Sequence, residues 1–289
     1  MVCPGLRRGG YGCILGSVAA VDEVLADLAA EGDDLDVLLA GLDPEQWRVP
    51  TPSPGWTVAD QVGHLASSDE SAVLAVRDPA AFAARQAMMA AGFEGAMDVA
   101  AAQFAAVGAA ELLATWRAGR AKVISALASV PAGERVPWVV APLSPAAIAS
   151  TRLMELIGHG QDIRDAAGAA WTPTDRIRHV AWLGVRTRDF AMANSGLAPP
   201  AAEFRVELTA PSGALWTWGP EDAAQRVTGS AADFCLLVTR RRHRADLALR
   251  AEGAEAAGWL DVAQAYAGPP SAGRRPGQFA TPGQFRSPA

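Results

Sequence analysis

The stretch Thr57-Val-Ala-Asp-Gln-Val-Gly-His-Leu-Ala66 and the distant stretch Glu155-Leu-Ile-Gly-His159 decide the fold and the chemistry of this chain. The first begins with a good helix N-cap residue and has Asp60 three residues on, which predicts a helix that carries His64 in its second turn. Glu155 and His159 are four residues apart, so on a helix both side chains project from one face. One ligand from the first helix and two from the second would give a divalent metal three protein ligands. Two imidazoles and a carboxylate leave a coordination position open, which is typical of a catalytic site.

The same residues also fit a structural reading. A Glu/His pair at helical spacing is common, and His64 and His159 could be polar members of half-buried helix faces. The chain has four histidines, and we expect the other two, His179 and His243, to lie at the surface. The spacing alone leaves both readings open.

The sequence around these residues resembles a known family. Trp47-Arg-Val-Pro-Thr-Pro-Ser-Pro-Gly-Trp56, continued to His64, and Glu155 to Ile163 are similar to the maleylpyruvate isomerase-like branch of the DinB superfamily. The resemblance implies a four-helix bundle with a metal in its core, ligated by His64, Glu155 and His159. Several members use the low-molecular-weight thiol mycothiol as co-substrate. The segment Trp259 to Pro270 resembles the ending of a subgroup of predicted metal-binding proteins.

The hydrophobic pattern predicts a mainly α, α+β chain. The resemblance implies that a DinB-like metal-binding bundle spans 19–197. Its predicted helices cover 21–39, a stretch from 57 through His64, about 98–128, a stretch from 144 through His159, and 174–194.

From residue 203 the pattern alternates as in strands, which predicts a small α+β domain over 198–268. Analogy with the isomerase suggests a sterol-carrier-like module. Residues 1–18 are predicted to be a disordered extension and 269–289 a flexible tail. The predicted strands are 204–208, 215–218, 226–229 and 245–250, and the predicted helices are 231–239 and 254–265.

Composition excludes several classes of partner. Lys and Arg number 25 against 31 Asp and Glu, giving a formal charge of −6, and the one strongly basic run is Arg240-Arg-Arg-His-Arg244, so we expect no nucleic-acid partner. No uninterrupted apolar run reaches the ~20 residues of a membrane span. Three scattered cysteines without a C-x-x-C motif suit the reducing cytoplasm. We expect a small-molecule substrate, and the chain is equally compatible with a monomer or a homodimer.

Together with the site chemistry, the resemblance implies a metal-dependent transferase or isomerase that uses a mycothiol-like thiol on a small electrophilic metabolite. Zinc is the first expectation, although Ni²⁺, Fe²⁺ or Cu²⁺ also suits the ligand set. The resemblance implies an arginine for an anionic substrate, and of Arg240, Arg241 and Arg242 we favour Arg240. Asp162 and Asp60 lie one helical turn from the histidines and could orient them. The alternatives are a thiol-independent hydrolase or lyase of specialised metabolism, and a non-catalytic metal- or ligand-binding protein.

Overall fold

The computed structural model describes residues 20–91 and 93–279. The predicted extension over 1–18 and the part of the predicted tail over 280–289 therefore lie outside the described residues. The predicted fold class is confirmed: the chain is mostly helical and carries a small sheet near its C-terminal end. In chain order the helices are α1 (Val21–Ala40), α2 (Val58–Arg77), α3 (Pro79–Ala91), α4 (Phe93–Ala105), α5 (Ala109–Ala128), α6 (Pro145–Ala167), α7 (Arg178–Arg186), α8 (Arg188–Asn194), α9 (Ala231–Val238) and α10 (Ala254–Val262).

The bundle is built from the four longest helices, α1, α2, α5 and α6. Helix α2 packs against α4, α5 and α6, and α1 packs against α5 and α6. The close approach of α2 to α4 depends on Gly63, where a Cβ atom would lie 2.4 Å from the carbonyl oxygen of Ala101. Apolar side chains such as Leu65, Leu112 and Leu153 fill the interior, each at most 1% exposed. The metal-ligand candidates thus project from helices that bury most of their surface.

Local sequence fixes where the two ligand-bearing helices begin. Thr57 and Asp60 form a capping box, in which Asp60 N–H donates to Thr57 Oγ1 and Thr57 N–H donates to Asp60 Oδ2. Ser144 caps α6 and Pro145 occupies its first position, where a missing N–H costs no helical hydrogen bond. Gly168, at φ 67°, ends α6 in the left-handed conformation that glycine adopts without strain.

Two predicted helices are each divided in the structure. The stretch predicted as one helix over 98–128 is interrupted at 106–108, because extended backbone at Gly108 starts a new helix, α5. The helix predicted over 174–194 begins in a 3-10 turn and is interrupted at Thr187, whose hydroxyl and backbone N–H both donate to the carbonyl of Leu183. Neither break moves the residues of the candidate site.

The sheet has the strand order β2-β1-β3-β4, with β1 (Arg205–Thr209), β2 (Leu215–Trp218), β3 (Arg226–Ser230) and β4 (Arg250–Glu252). β1 pairs antiparallel with β2 and parallel with β3, and β4 is antiparallel to β3. The strand predicted over 245–250 is wrong in position, since Arg244–Asp246 form a 3-10 turn and pairing starts only at Arg250.

The helical part and the sheet part meet through α7 and α9. α7 packs against both α6 and α9. At Gly184 of α7 a Cβ atom would lie 2.9 Å from side-chain atoms of Phe234 and Val238, so only glycine allows this approach. The predicted boundary between 197 and 198 falls between the end of α8 and the start of β1.

The membrane test applies to the helices that the structure describes. None of them alone has both the length and the apolar composition to cross a bilayer, and the pair Met97–Ala105 and Ala109–Ala128, which passes by composition, is bent by 117°.

Candidate metal centre

His64, Glu155 and His159 converge in the core of the bundle. Helix α2 contributes His64, and α6 contributes the other two from adjacent turns of one face. One donor atom from each lies within 4.8 Å of the other two, and no other such group of three or more His, Cys, Asp or Glu residues occurs in 20–91 and 93–279. Glu155 Oε2 lies 3.2 Å from His64 Nε2 and 3.1 Å from His159 Nε2. The structure therefore brings the three predicted ligand residues together.

These distances suit a shared cation. Two ligands that are each 2.0–2.1 Å from a tetrahedral zinc ion lie about 3.3 Å apart. The two carboxylate–imidazole distances match that spacing. Distances of 3.1–3.2 Å also fit hydrogen bonds, so the protonation state of the rings distinguishes a metal site from a hydrogen-bonded pair.

The hydrogen bonds of Gln61 fix the tautomer of His159. Gln61 Nε2 donates to Thr51 Oγ1 at 2.8 Å and faces Asp162 Oδ2 at 3.5 Å, so its amide oxygen points to the ring. His159 Nδ1 donates to that oxygen at 2.5 Å, which places the proton of a neutral ring on Nδ1 and leaves a lone pair on Nε2. That lone pair faces the carboxylate of Glu155, an arrangement that a cation between them would satisfy.

Burial keeps the site ready for a cation. The pKa of His159 is lowered to about 4, chiefly because burial disfavours the charged ring and the nearby His64 adds repulsion, so the ring is neutral near pH 7. Burial by itself would raise the pKa of Glu155, but the two imidazoles that face it hold it well below its usual value. A neutral imidazole and an ionised carboxylate are the forms that bind metals.

A buried charge cluster lies behind His159, next to Gln61. Asp162 is fully buried, and its carboxylate pairs with Arg241 at 2.9 Å, with Arg274 and with the hydroxyl of Ser53 at 2.8 Å. Burial would raise the pKa of Asp162, but the charges of the two arginines lower it overall. The predicted link between Asp162 and His159 is thus indirect, through the Gln61 amide.

Trp56 forms one wall of the centre. Its ring centroid lies 5.4 Å from that of His64 and 5.9 Å from that of His159, and the latter pair is stacked. Its Nε1–H donates to Asp98 at 2.8 Å, which fixes the ring orientation. The indole therefore shields one side of the centre from water.

The structure brings Arg241, not Arg240, to the site. The favoured Arg240 uses all three guanidinium nitrogens on backbone carbonyls, Nε and Nη2 on Ser271 and Nη1 on Asp261. Arg241 donates from Nε to the carbonyl of Gly158, the residue before His159. The physical reason is the turn after α9, where Arg240 has φ 60° and redirects the chain.

Other expectations also need correction. Asp60 does not orient His64, because its carboxylate is used by the cap of α2. His179 is buried, not at the surface, and its Nε2 lies 2.9 Å from Asp27 Oδ2. The sequence reading missed Gln61, whose only signal was a polar residue inside an apolar helix, and Arg274, for which no local pattern exists.

Two family models match the chain. The model described as the mycothiol maleylpyruvate isomerase N-terminal domain matches residues 28–164, which include all three candidate ligands. The model described as wyosine base formation matches residues 200–252, which span the sheet and α9.

The chain is also similar to two relatives and to two solved structures. Uncharacterized proteins of Mycobacterium tuberculosis strains CDC 1551 / Oshkosh and ATCC 25618 / H37Rv are each 51% identical over 250 residues, covering 86% of this chain and 97% of the relative. The crystal structure of the mycothiol-dependent maleylpyruvate isomerase is similar with a TM-score of 0.51 at 15% identity, covering 75% of this chain and 88% of that one. A histidine-to-alanine mutant of that isomerase gives a TM-score of 0.50 at 14% identity. At this identity the likeness shows a shared fold.

Proposed function

Because this chain belongs to the mycothiol maleylpyruvate isomerase N-terminal domain family, we propose that it is a metal-dependent transferase or isomerase. Its proposed substrate is a small electrophilic metabolite, and its proposed co-substrate is a mycothiol-like thiol. The observation that carries the proposal is the convergence of His64, Glu155 and His159 on one point in the bundle core. The solved structure that shares this fold is that of a mycothiol-dependent maleylpyruvate isomerase, which supports the choice of a thiol as co-substrate.

We assign the metal to these three side chains, with zinc as the first candidate among divalent ions. A zinc ion held here would supply Lewis acidity that lowers the pKa of a thiol in the open coordination position. Ni²⁺, Fe²⁺ and Cu²⁺ also accept two imidazoles and a carboxylate, so the donor set favours none of them by itself.

The protein residues around the three ligands have separate roles in this proposal. Gln61 holds His159 in the tautomer whose Nε2 can ligate, and Thr51, which accepts from the Gln61 amide at 2.8 Å, fixes the orientation of Gln61. Trp56 excludes water from one side of the centre. Arg241 is our candidate for binding an acid group of the substrate, since it lies beside the helix turn that carries His159.

Elemental analysis tests the metal assignment. We expect the purified protein to contain about one equivalent of a divalent metal per chain, and His64→Ala to lose most of it because only two ligands remain. His243→Ala is the matched control, since His243 is half-buried and is not a member of the three-residue group. Metal content that is negligible in the parent protein, or equal in both variants, would refute the assignment.

Thiol consumption tests the reaction class. The metal-loaded protein is incubated with mycothiol and a panel of electrophilic organic acids, with loss of free thiol and of each electrophile followed over time. Rearrangement of an acid only when thiol is present would indicate an isomerase, and net thiol consumption would indicate a transferase. A protein that binds metal but converts no electrophile in a thiol-dependent way would contradict the thiol proposal and leave the metal assignment standing.

A further inference from the structure

A cleft of about 140 Å³ lies beside the charge cluster and is separate from the three metal-ligand candidates. Its walls come from the turn after α9, from α10 and from the C-terminal segment. The charged or ionisable side chains that line it are Arg240, Arg242, His243, Arg244, Asp261 and Arg274.

The turn after α9 divides its arginines between two sites. Arg241 points to Asp162 and Gly158, whereas Arg240 and Arg242 line the cleft. Arg240 has a positive φ of 60° in this turn, which ends α9. The cleft is therefore distinct from the place that we assign to the acid group of a substrate at the metal centre.

The cleft contains donors without acceptors. The Arg274 residue is 9% exposed, and its buried Nε–H has no hydrogen-bond partner in the part of the chain that the structure describes. A buried donor of this kind is costly unless a ligand or solvent accepts from it. His243 Nδ1 accepts from the N–H of Ala245 at 3.1 Å, so the proton of the neutral ring is on Nε2, a second donor.

Charge in and around the cleft is unbalanced. The carboxylates beside these arginines are Asp261, which pairs with Arg244, Asp165, which binds Arg242 through both oxygens, Asp162, which is shared by Arg241 and Arg274, and Asp246, which accepts from the N–H of Gly277. Together with Arg240, these are five arginines against four carboxylates, so the cluster has one positive charge in excess. A small anion would compensate that excess and accept hydrogen bonds from the unpaired donors.

We propose that this cleft binds a small anion through a carboxylate or phosphate group. Its volume is close to the roughly 150 Å³ of an engineered protein cavity that holds benzene, so a short organic acid or inorganic phosphate fits. The excess charge favours an anion over a neutral ligand of the same size. The inference does not require the metal centre or its proposed reaction.

Isothermal titration calorimetry on the full-length protein tests the proposal, with inorganic phosphate, malonate and the neutral malonamide as probes. We expect saturable binding of phosphate, malonate or both, and none of malonamide. Binding of phosphate alone would assign a phosphate ligand, and binding of malonate alone a carboxylic acid. Arg244→Gln should weaken binding at least fivefold, because Arg244 lines the cleft and has nitrogens beyond the one bound to Asp261 and Ala257. Arg77→Gln is the matched control, since Arg77 is an exposed arginine at the end of α2, and it should leave affinity unchanged.

Nuclear magnetic resonance of the histidine side chains gives a readout that needs no variant. Phosphate or malonate titration should shift the ring signals of His243, which lines the cleft, and leave those of His179, which is paired with Asp27, in place. The proposal is overturned if neither anion binds saturably, if Arg244→Gln and Arg77→Gln bind equally well, or if the His243 signals do not move at saturation.

Discussion

Replacing Gln61 by leucine should weaken metal binding without removing any of the three proposed ligands. Gln61 is fully buried and accepts the Nδ1–H of His159 at 2.5 Å. Leucine is of similar size but has no acceptor. The proton of the ring can then move to Nε2, where the Glu155 carboxylate, 3.1 Å away, accepts it. In that tautomer Nε2, the nitrogen that should bind the metal, carries the proton. The metal must then displace this proton, which the parent protein keeps on Nδ1.

Two independent magnitudes give the size of the effect. Loss of an outer partner of a ligating histidine typically lowers metal affinity 10- to 100-fold, or about 1.4–2.7 kcal/mol. Leaving a buried N–H without an acceptor costs about 1–3 kcal/mol, which covers the same range. We therefore expect the zinc dissociation constant of Gln61→Leu to rise 10- to 100-fold, as measured by competition with a chromophoric chelator.

A matched control separates this effect from a general loss of stability. Gln103→Leu makes the same exchange at an exposed position of α4 and should bind zinc like the parent protein. Both variants should be checked for folding by circular dichroism. If Gln61→Leu folds and binds zinc with the affinity of the parent protein, the hydrogen bond from His159 does not prepare the site, and our account of its tautomer is refuted.

Three further predictions concern stability, measured as the free energy of unfolding in urea. Gly184→Ala should lose about 1–3 kcal/mol, because the new Cβ atom would lie 2.9 Å from side-chain atoms of α9. Gly258→Ala changes a helical position with open space around it and should gain about 0.5–1 kcal/mol. Equal changes in the two variants would contradict the packing argument. Arg152→Met should lose about 3–5 kcal/mol at pH 7, because it leaves the buried carboxylate of Asp69 without its cationic partner. Burial already raises the pKa of Asp69, so the carboxylate becomes protonated and the loss of stability becomes smaller as the pH falls. A loss of stability that is constant with pH would contradict this argument. Thr57→Ala should lose about 0.5–2 kcal/mol through the missing N-cap, a figure that an unchanged unfolding midpoint would exclude.

The sequence was sufficient for the features that depend on local pattern. Helical spacing placed Glu155 and His159 on one face, and the capping residues Thr57 and Ser144 located the starts of the two ligand-bearing helices. These features follow from short-range geometry, which a sequence displays directly. The alternating strand pattern at 215–218 succeeded for the same reason.

The features that were missed depend on contacts between distant residues or on the conformation of single residues. Arg274 meets Asp162 across 112 positions of the chain, and no periodicity links them. The choice among Arg240, Arg241 and Arg242 depended on one left-handed residue in a turn, which shifts every following side chain. The interruption at Thr187, which divides a predicted helix, is equally hard to read from residue types, because threonine also occurs inside helices.

The position of Trp56 against both imidazoles gives the centre an optical signal of its own. Indole emission responds to the charge and contact of a neighbouring ring, and Trp56 is the tryptophan that lies within 6 Å of His64 and His159 in the part of the chain that the structure describes. Comparing the fluorescence of the parent protein with that of Trp56→Phe isolates this contribution from the other eight tryptophans. Binding of an ion at the centre can then be followed in real time by this fluorescence difference, even for ions that absorb no visible light.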